Sequence, residues 1–234
     1  METRTDIAPG GLGEAHRQHS RPATVYTYYH RVPEIDEAEQ QAQMAVWEAS
    51  WRRHGWEPVI LGRQQAWALG PQTDEAEKVF LARPTYNPRA YTLATYLRWF
   101  ALKARGGGLM TDYDVVNVDF RPETLKAHVA GRDCVCLCAC WVPAVVYANP
   151  AGCERIVSTL LGHQVTEKDT VYGRPHISDM PIFQKNPPGA CVRVARLLDE
   201  PDKGEPLVHC ANACLAHIGR RGQRAQVMKE VAGV

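Results

Sequence analysis

The 234-residue sequence predicts a single α/β domain, a mostly parallel sheet flanked by helices. Three observations predict it. A β-prone run, an N-capped helical run and a second apolar run follow one another over residues 24–62, the rhythm of parallel strands joined by a crossover helix. A second helical stripe ends at glycines and leads straight into a short apolar strand over 106–118. A strand at 133–142 is apolar on both faces, as strands are when helices cover both sides of the sheet.

Hydrophobic content of 45%, charged content of 23% and a formal charge of +1 describe an ordinary soluble chain. They exclude a bulk electrostatic commitment to nucleic acid or membrane, so a polyanionic partner would have to be held by a local patch. No apolar run reaches the ~18 residues of a membrane span, and the first residues lack the apolar core of a secretory signal. The expected location is the cytoplasm, with no membrane span.

Residues 1–22 carry glycines, prolines and scattered charges without periodicity, including His16 and His19, and are expected to be a mobile tail ahead of a domain over 23–234. Thr24–His30 is β-prone and stops before Pro33. This strand would present His30 and Arg31 at its end, where open α/β sheets bind ligands. Asp36 with Glu39 reads as an N-cap and its acidic partner, and Ala38, Ala42, Ala45, Val46 and Ala49 recur at helical spacing up to Gly55. Trp47 and Trp51, one turn apart, read as core packing. Trp56–Leu61 is the second strand, followed by a polar stretch.

Asn87 and Pro88 supply an N-cap and a proline at N1, and Leu93, Ala94, Leu97, Phe100, Ala101 and Ala104 form one apolar stripe ending at Gly106. The next strand carries Asp112 and Asp114. On an extended strand the two share one face, ~6–7 Å apart, with Tyr113 opposite. At that distance they repel by about 2–3 kcal/mol, which a hard divalent cation reverses. Oxygen ligation suits magnesium or manganese, ions that commonly carry a substrate's phosphates. The plain alternative is a strand end turning into solvent with two acids on it.

Cys134, Cys136, Cys138 and Cys140 alternate along the 133–142 strand, which Pro143 closes. Their sulfurs would step by ~7 Å, too far for neighbouring pairs to share one zinc, so they read as structural; the competing reading is a zinc- or nucleic-acid-binding module. A short helix is expected within 150–163. Residues 171–184 read as a loop punctuated by prolines, and Asp179 there is the candidate general base, against the simpler role of capping the turn before Met180 and Pro181. His176 reads as structural. His209 ends a short apolar run, with His217 as an alternate ligand or an ordinary half-buried histidine. Arg220, Arg221, Arg224 and Lys229 form a basic tail that would close over a diphosphate, lie on a polyanionic acceptor, or be solvated.

The segment from Arg98 through Gly106-Gly-Gly to Asp112-Tyr-Asp-Val resembles the sugar-nucleotide segment of GT-A-fold glycosyltransferases, whose sheet is of Rossmann type. The close match covers about twenty residues, and the strand-helix-strand start agrees in kind. The resemblance implies a metal-dependent enzyme that moves a sugar from a nucleotide-diphosphate sugar (UDP- or GDP-linked) to a hydroxyl acceptor. Asp112 and Asp114 would hold Mn2+ or Mg2+ on the diphosphate, with His209 as a third ligand. Arg98 would lie near the phosphates or donor sugar, and Tyr28, His30, Arg31 and Tyr113 would complete the nucleotide-sugar site. One departure is Thr95, where that group commonly has an Asp touching the donor sugar. The acceptor classes left open are a glycan, a small molecule and a hydroxymethylated pyrimidine in viral DNA. The runner-up is a haloacid-dehalogenase-type phosphatase, because Asp112-Tyr-Asp-Val-Val also fits a motif whose first Asp is the nucleophile.

Overall fold

The structure is a computed structural model describing residues 23–234, apart from the side chain of Cys140; the expected tail, with His16 and His19, lies outside the described residues. In chain order the elements are β1 (Ala23–Tyr28), α1 (Glu37–Arg53), β2 (Trp56–Leu61), α2 (Arg63–Trp67), α3 (Pro71–Leu81), α4 (Arg89–Ala104), β3 (Gly108–Thr111), β4 (Val115–Asn117) and α5 (Pro122–Val129). There follow β5 (Cys134–Cys138), a 3-10 turn (Ala139–Trp141), β6 (Val145–Ala148), α6 (Pro150–Gly162), β7 (Thr170–Val171), β8 (Arg174–Pro175), α7 (Asp179–Lys185), β9 (Ala190–Leu197), β10 (Leu207–His209), α8 (Asn212–His217) and α9 (Arg224–Ala232). Among the described residues no helix is long and apolar enough to cross a membrane.

The eight-stranded sheet runs β2-β1-β3-β6-β5-β9-β10-β4. Strands β1, β2 and β3 are parallel, as are β5, β9 and β10; only β6 and β4 run against their neighbours. That topology decides where chemistry can sit. β1, β3 and β10 point the same way, so residues at or just past their C-terminal ends, and the residue entering the reversed β4, meet at one edge of the sheet. His30, Asp112, His209 and Asp114 are those residues.

Local chemistry explains most elements. Asp36 caps α1, its Oδ1 accepting from the Ala38 and Glu39 amides at 2.9 and 3.2 Å. The predicted capping box does not form: the Glu39 carboxylate accepts instead from Gln43 and, at 2.9 Å, from the Ala225 amide, tying α1 to the start of α9. Helix α4 starts one residue later than predicted, with Pro88 at the N-cap, because the Thr85 hydroxyl takes the Asn87 N–H and keeps Asn87 in the preceding turn. The polar stretch after β2 folds as α2 and α3, and the expected proline-rich loop contains β7, β8 and α7. β5 is buried on both faces as predicted, but it stops at Cys138 and the 3-10 turn ends the run before Pro143.

Residues of α1 hold the segment bearing the two acids. The Trp47 indole donates to Thr111 Oγ1 at 2.9 Å, the Gln40 amide to the Tyr113 hydroxyl at 2.8 Å and the Trp51 indole to the Val115 carbonyl at 3.1 Å. Every second residue from 111 to 115 is therefore pinned by one helix. Gly107 lets β3 approach β6: its φ is 94°, and a Cβ there would lie 2.4 Å from the Ala148 carbonyl oxygen.

Candidate active site

Asp112 and Asp114 sit on a turn, not on one face of an extended strand. β3 ends at Thr111, the Asp112 N–H donates to the Ala144 carbonyl at 2.8 Å, and the Val115 N–H closes back on the Asp112 carbonyl at 3.1 Å. The turn folds both carboxylates toward β10, where His209 arrives. One ligand atom from each of Asp112, Asp114 and His209 lies within 4.8 Å of the others, the one such cluster among the described residues. Ligands of a single Mg2+ or Mn2+ lie up to ~4.2 Å apart, so a small side-chain rotation closes this set.

Each acid has a cationic partner. Arg98 Nη1 donates to Asp112 Oδ1, while its Nε and Nη2 donate to Asp179 Oδ2. Asp114 Oδ2 pairs with Arg224 at 3.1 Å and Oδ1 lies 3.3 Å from His209 Nε2. Burial and the neighbouring Asp114 charge raise the Asp112 carboxyl above its ordinary value despite Arg98. Burial also works against the Asp114 charge, yet His209 and Arg224 outweigh it and hold that carboxyl low. For His209 burial opposes the imidazolium, and the Asp114 carboxylate overcomes it, so its pKa is raised. Asp114 Oδ1 and His209 Nδ1 are buried and lack hydrogen-bond partners. Two carboxylates and an imidazole brought together, with the buried Asp114 Oδ1 making no hydrogen bond within the chain, offer the donor atoms that suit a hard divalent cation.

The cluster opens into a cavity of about 640 Å3. Of the residues singled out in the sequence, Tyr28, His30, Arg98, Asp112, Tyr113, Asp114, His176, Asp179 and His209 line it. Arg31 does not; it is exposed and pairs with Glu37 at 3.0 Å. His217 also lies elsewhere, bonded to Asp199 at 2.9 Å. Asp179 is 2% exposed and its Oδ2 also accepts from the Trp99 indole at 2.9 Å, so its oxygens are engaged by Arg98, Trp99 and the Met180 amide. His176 bonds Thr85 through Nδ1 at 3.1 Å and packs against Tyr86, the ring centroids 4.4 Å apart with the rings tilted by 38°. Thr95 lines the cavity, but its hydroxyl is spent on the Thr92 carbonyl.

Sequence reasoning missed Tyr91, Gln40, Gln43 and the role of Arg224. Tyr91 lies one turn before Thr95 and two before Arg98, a spacing that signals one helix face. The others depend on contacts between distant segments. In the basic tail Arg220 pairs with Glu230 at 3.0 Å and Arg224 with Asp114; elsewhere on the surface Arg52 pairs with Glu48 and Arg53 donates to the Gly233 carbonyl. Burial pushes the Cys134 thiol up to about 12 and raises Cys136 and Cys138 further, as for thiols packed in a core.

Residues 17–129 match a family model described as a domain of unknown function, DUF8765. No curated protein matches the chain in sequence. Among solved structures, the chain is similar to the galactosyltransferase LgtC in complex with donor and acceptor sugar analogues, with a TM-score of 0.54 and 14% identity over 90% of this chain and 95% of that one. The fold is of GT-A type. An active-site mutant of LgtC superposes with a TM-score of 0.50 and 12% identity over the same shares of the two chains. This agrees with the half-buried Asp112 and the buried Asp114 forming a D-x-D turn. It also removes the phosphatase fold, in which such a motif usually opens the first strand rather than following β1 and β2.

Proposed function

We propose that this protein is a metal-dependent glycosyltransferase that moves a sugar from a nucleotide-diphosphate sugar to a hydroxyl acceptor. One observation carries the proposal: in a GT-A fold, Asp112, Asp114 and His209 bring ligand atoms within 4.8 Å at the sheet edge, beside a cavity large enough for a nucleotide sugar. Bound there, Mn2+ or Mg2+ would stabilise the charge developing on the leaving diphosphate. Arg98 holds Asp112 in place through Nη1 and opposes the rise of its carboxyl. Tyr28, His30 and Tyr113 line the wall where the nucleotide would lie. Asp179 is proposed as a positioning residue for Arg98 in place of a general base, because its oxygens already accept from Arg98, Trp99 and the Met180 amide. A glycan or small-molecule hydroxyl is favoured over a pyrimidine in DNA, since Arg220 and Arg224 of the basic tail pair with acids of the chain and the formal charge is only +1.

The test is thermal unfolding with Mn2+ and with UDP or GDP. Stabilisation by several degrees that needs both Mn2+ and nucleotide, and that is lost in Asp112→Ala and Asp114→Ala, is the expected result. Stabilisation unchanged in both variants removes the proposal. Incubation with mixed nucleotide sugars and either glycan or hydroxymethylated DNA acceptors, read by mass spectrometry, separates the acceptor classes. A trapped aspartyl-phosphate would favour the phosphatase chemistry instead.

A further inference from the structure

We propose that Arg224 is a displaceable counter-ion: it neutralises Asp114 while no cation is bound and passes to the nucleotide's phosphates when a divalent cation takes Asp114. The inference rests on the function proposed above and adds to it a coupling between cation and nucleotide that runs through one side chain.

The two arginines of the site are held very differently. Arg98 is fixed by Asp112, by two bonds to Asp179 and by a position 4.6 Å over the Trp99 ring. Arg224 has one carboxylate partner, Asp114, at 3.1 Å and one long bond to Gln43 Oε1 at 3.4 Å, and its Nε is buried without any partner. A guanidinium with a spare donor and a single ionic tie is parked, not locked. It is the first residue of α9, two positions after Gly222, whose φ of 72° turns the chain into the helix. Its side chain lines the same cavity as Asp112, Asp114 and His209.

A divalent cation on Asp114 would place two positive charges beside a guanidinium that is only 14% exposed. Repulsion between like charges in such a place is poorly screened, so cation and guanidinium compete for Asp114. The released guanidinium faces the cavity, and phosphate oxygens of a nucleotide would satisfy it in the planar geometry that arginine prefers. Cation binding then frees the group that the nucleotide needs, and linkage requires the reverse as well.

The experiment is Mn2+ binding to the full chain, read by the electron paramagnetic resonance of free Mn2+, with and without UDP or GDP. Without nucleotide, Arg224→Gln should bind Mn2+ roughly 5- to 20-fold tighter than wild type, with Arg224→Lys in between. The factor by which nucleotide tightens Mn2+ binding should fall in Arg224→Gln by a similar ratio. Mn2+ affinity that is equal or weaker in Arg224→Gln overturns the inference, as does an unchanged nucleotide factor. Circular dichroism checks the fold; if Arg224→Gln does not fold, Arg224→Lys decides, and wild-type affinity in it overturns the inference. Mn2+ binding that survives Asp112→Ala and Asp114→Ala removes the proposed function and this inference together. Asp-dependent binding indifferent to Arg224 removes the inference alone.

Discussion

Arg98 and Asp179 form a buried clamp in which Nε and Nη2 of the guanidinium converge on a single carboxylate oxygen, the Nε bond at 3.0 Å. Through it, α7 sets the position of the side chain that holds Asp112. Asp179→Asn should therefore cost about 2–3 kcal/mol of stability, because it leaves a buried guanidinium short of a charge. It should also lower turnover by about 100-fold through misplacement of Arg98, while the pH dependence of the remaining activity keeps its shape. Loss of one limb of that profile would restore Asp179 as a general base.

His209 and His217 make opposite predictions. His209→Ala removes a ligand atom from the cluster and should weaken Mn2+ binding at least about tenfold. His217→Ala breaks only a surface contact with Asp199 and should leave Mn2+ binding unchanged. Isothermal titration of both variants checks the pair, and the reverse pattern would move the third ligand to α8.

Gly107→Ala should destabilise the protein by about 3 kcal/mol or more, since it adds left-handed backbone strain to a clash with the Ala148 carbonyl. Gly106→Ala has the same sign of φ, 79°, but open space around its Cβ, so it bears only the strain. Denaturant midpoints of the two variants should separate, and equal midpoints would show that the contact between β3 and β6 yields.

Asp169 makes stability depend on acid. It is 5% exposed; burial opposes its charge, but Lys185 and the Thr166 amide and hydroxyl, with His163 close by, hold its carboxyl well below the ordinary range. The native carboxylate thus takes up a proton later than the unfolded one, whose pKa is about 3.9. Its contribution is fully present above that value and is lost as pH falls toward the native value. Urea titrations from pH 6 to pH 3 should show a steeper loss below about pH 4 in wild type than in Asp169→Asn; parallel curves would refute the assignment.

Local signals made much of the fold legible. Asp36 caps α1, Asn149 caps α6 by accepting from the Gly152 amide, and Trp56–Leu61 is bounded by glycines, all readable without distant contacts. Helices α2 and α3 carry little local signal because each starts at a glycine without a side-chain cap; for α3 the faint signals are Pro71 at N1 and the helical spacing of Thr73, Ala76 and Phe80. Helix α7 was obscured by Pro181, which sits in its first turn, where proline is tolerated. β9 carries Arg193 and Arg196 in place of an apolar run, and ion pairs with Glu200 and Asp202 accommodate them. At the site, the acids and His209 stood out as residue types at strand ends. The partners did not: Arg224 meets Asp114, and Asp179 meets Arg98, across separations that no spacing rule encodes.

The tie between Glu39 and the Ala225 amide has a consequence for how the protein is made. Helix α1 leaves a ribosome well before α9, yet they pack together, and His209 and Arg224 also come from the later segment. Such long-range closure is slow relative to local helix formation. A nascent chain would already hold Asp112 against Arg98, but Asp114 would wait for His209 and Arg224, and the cluster would be completed only once α9 has emerged.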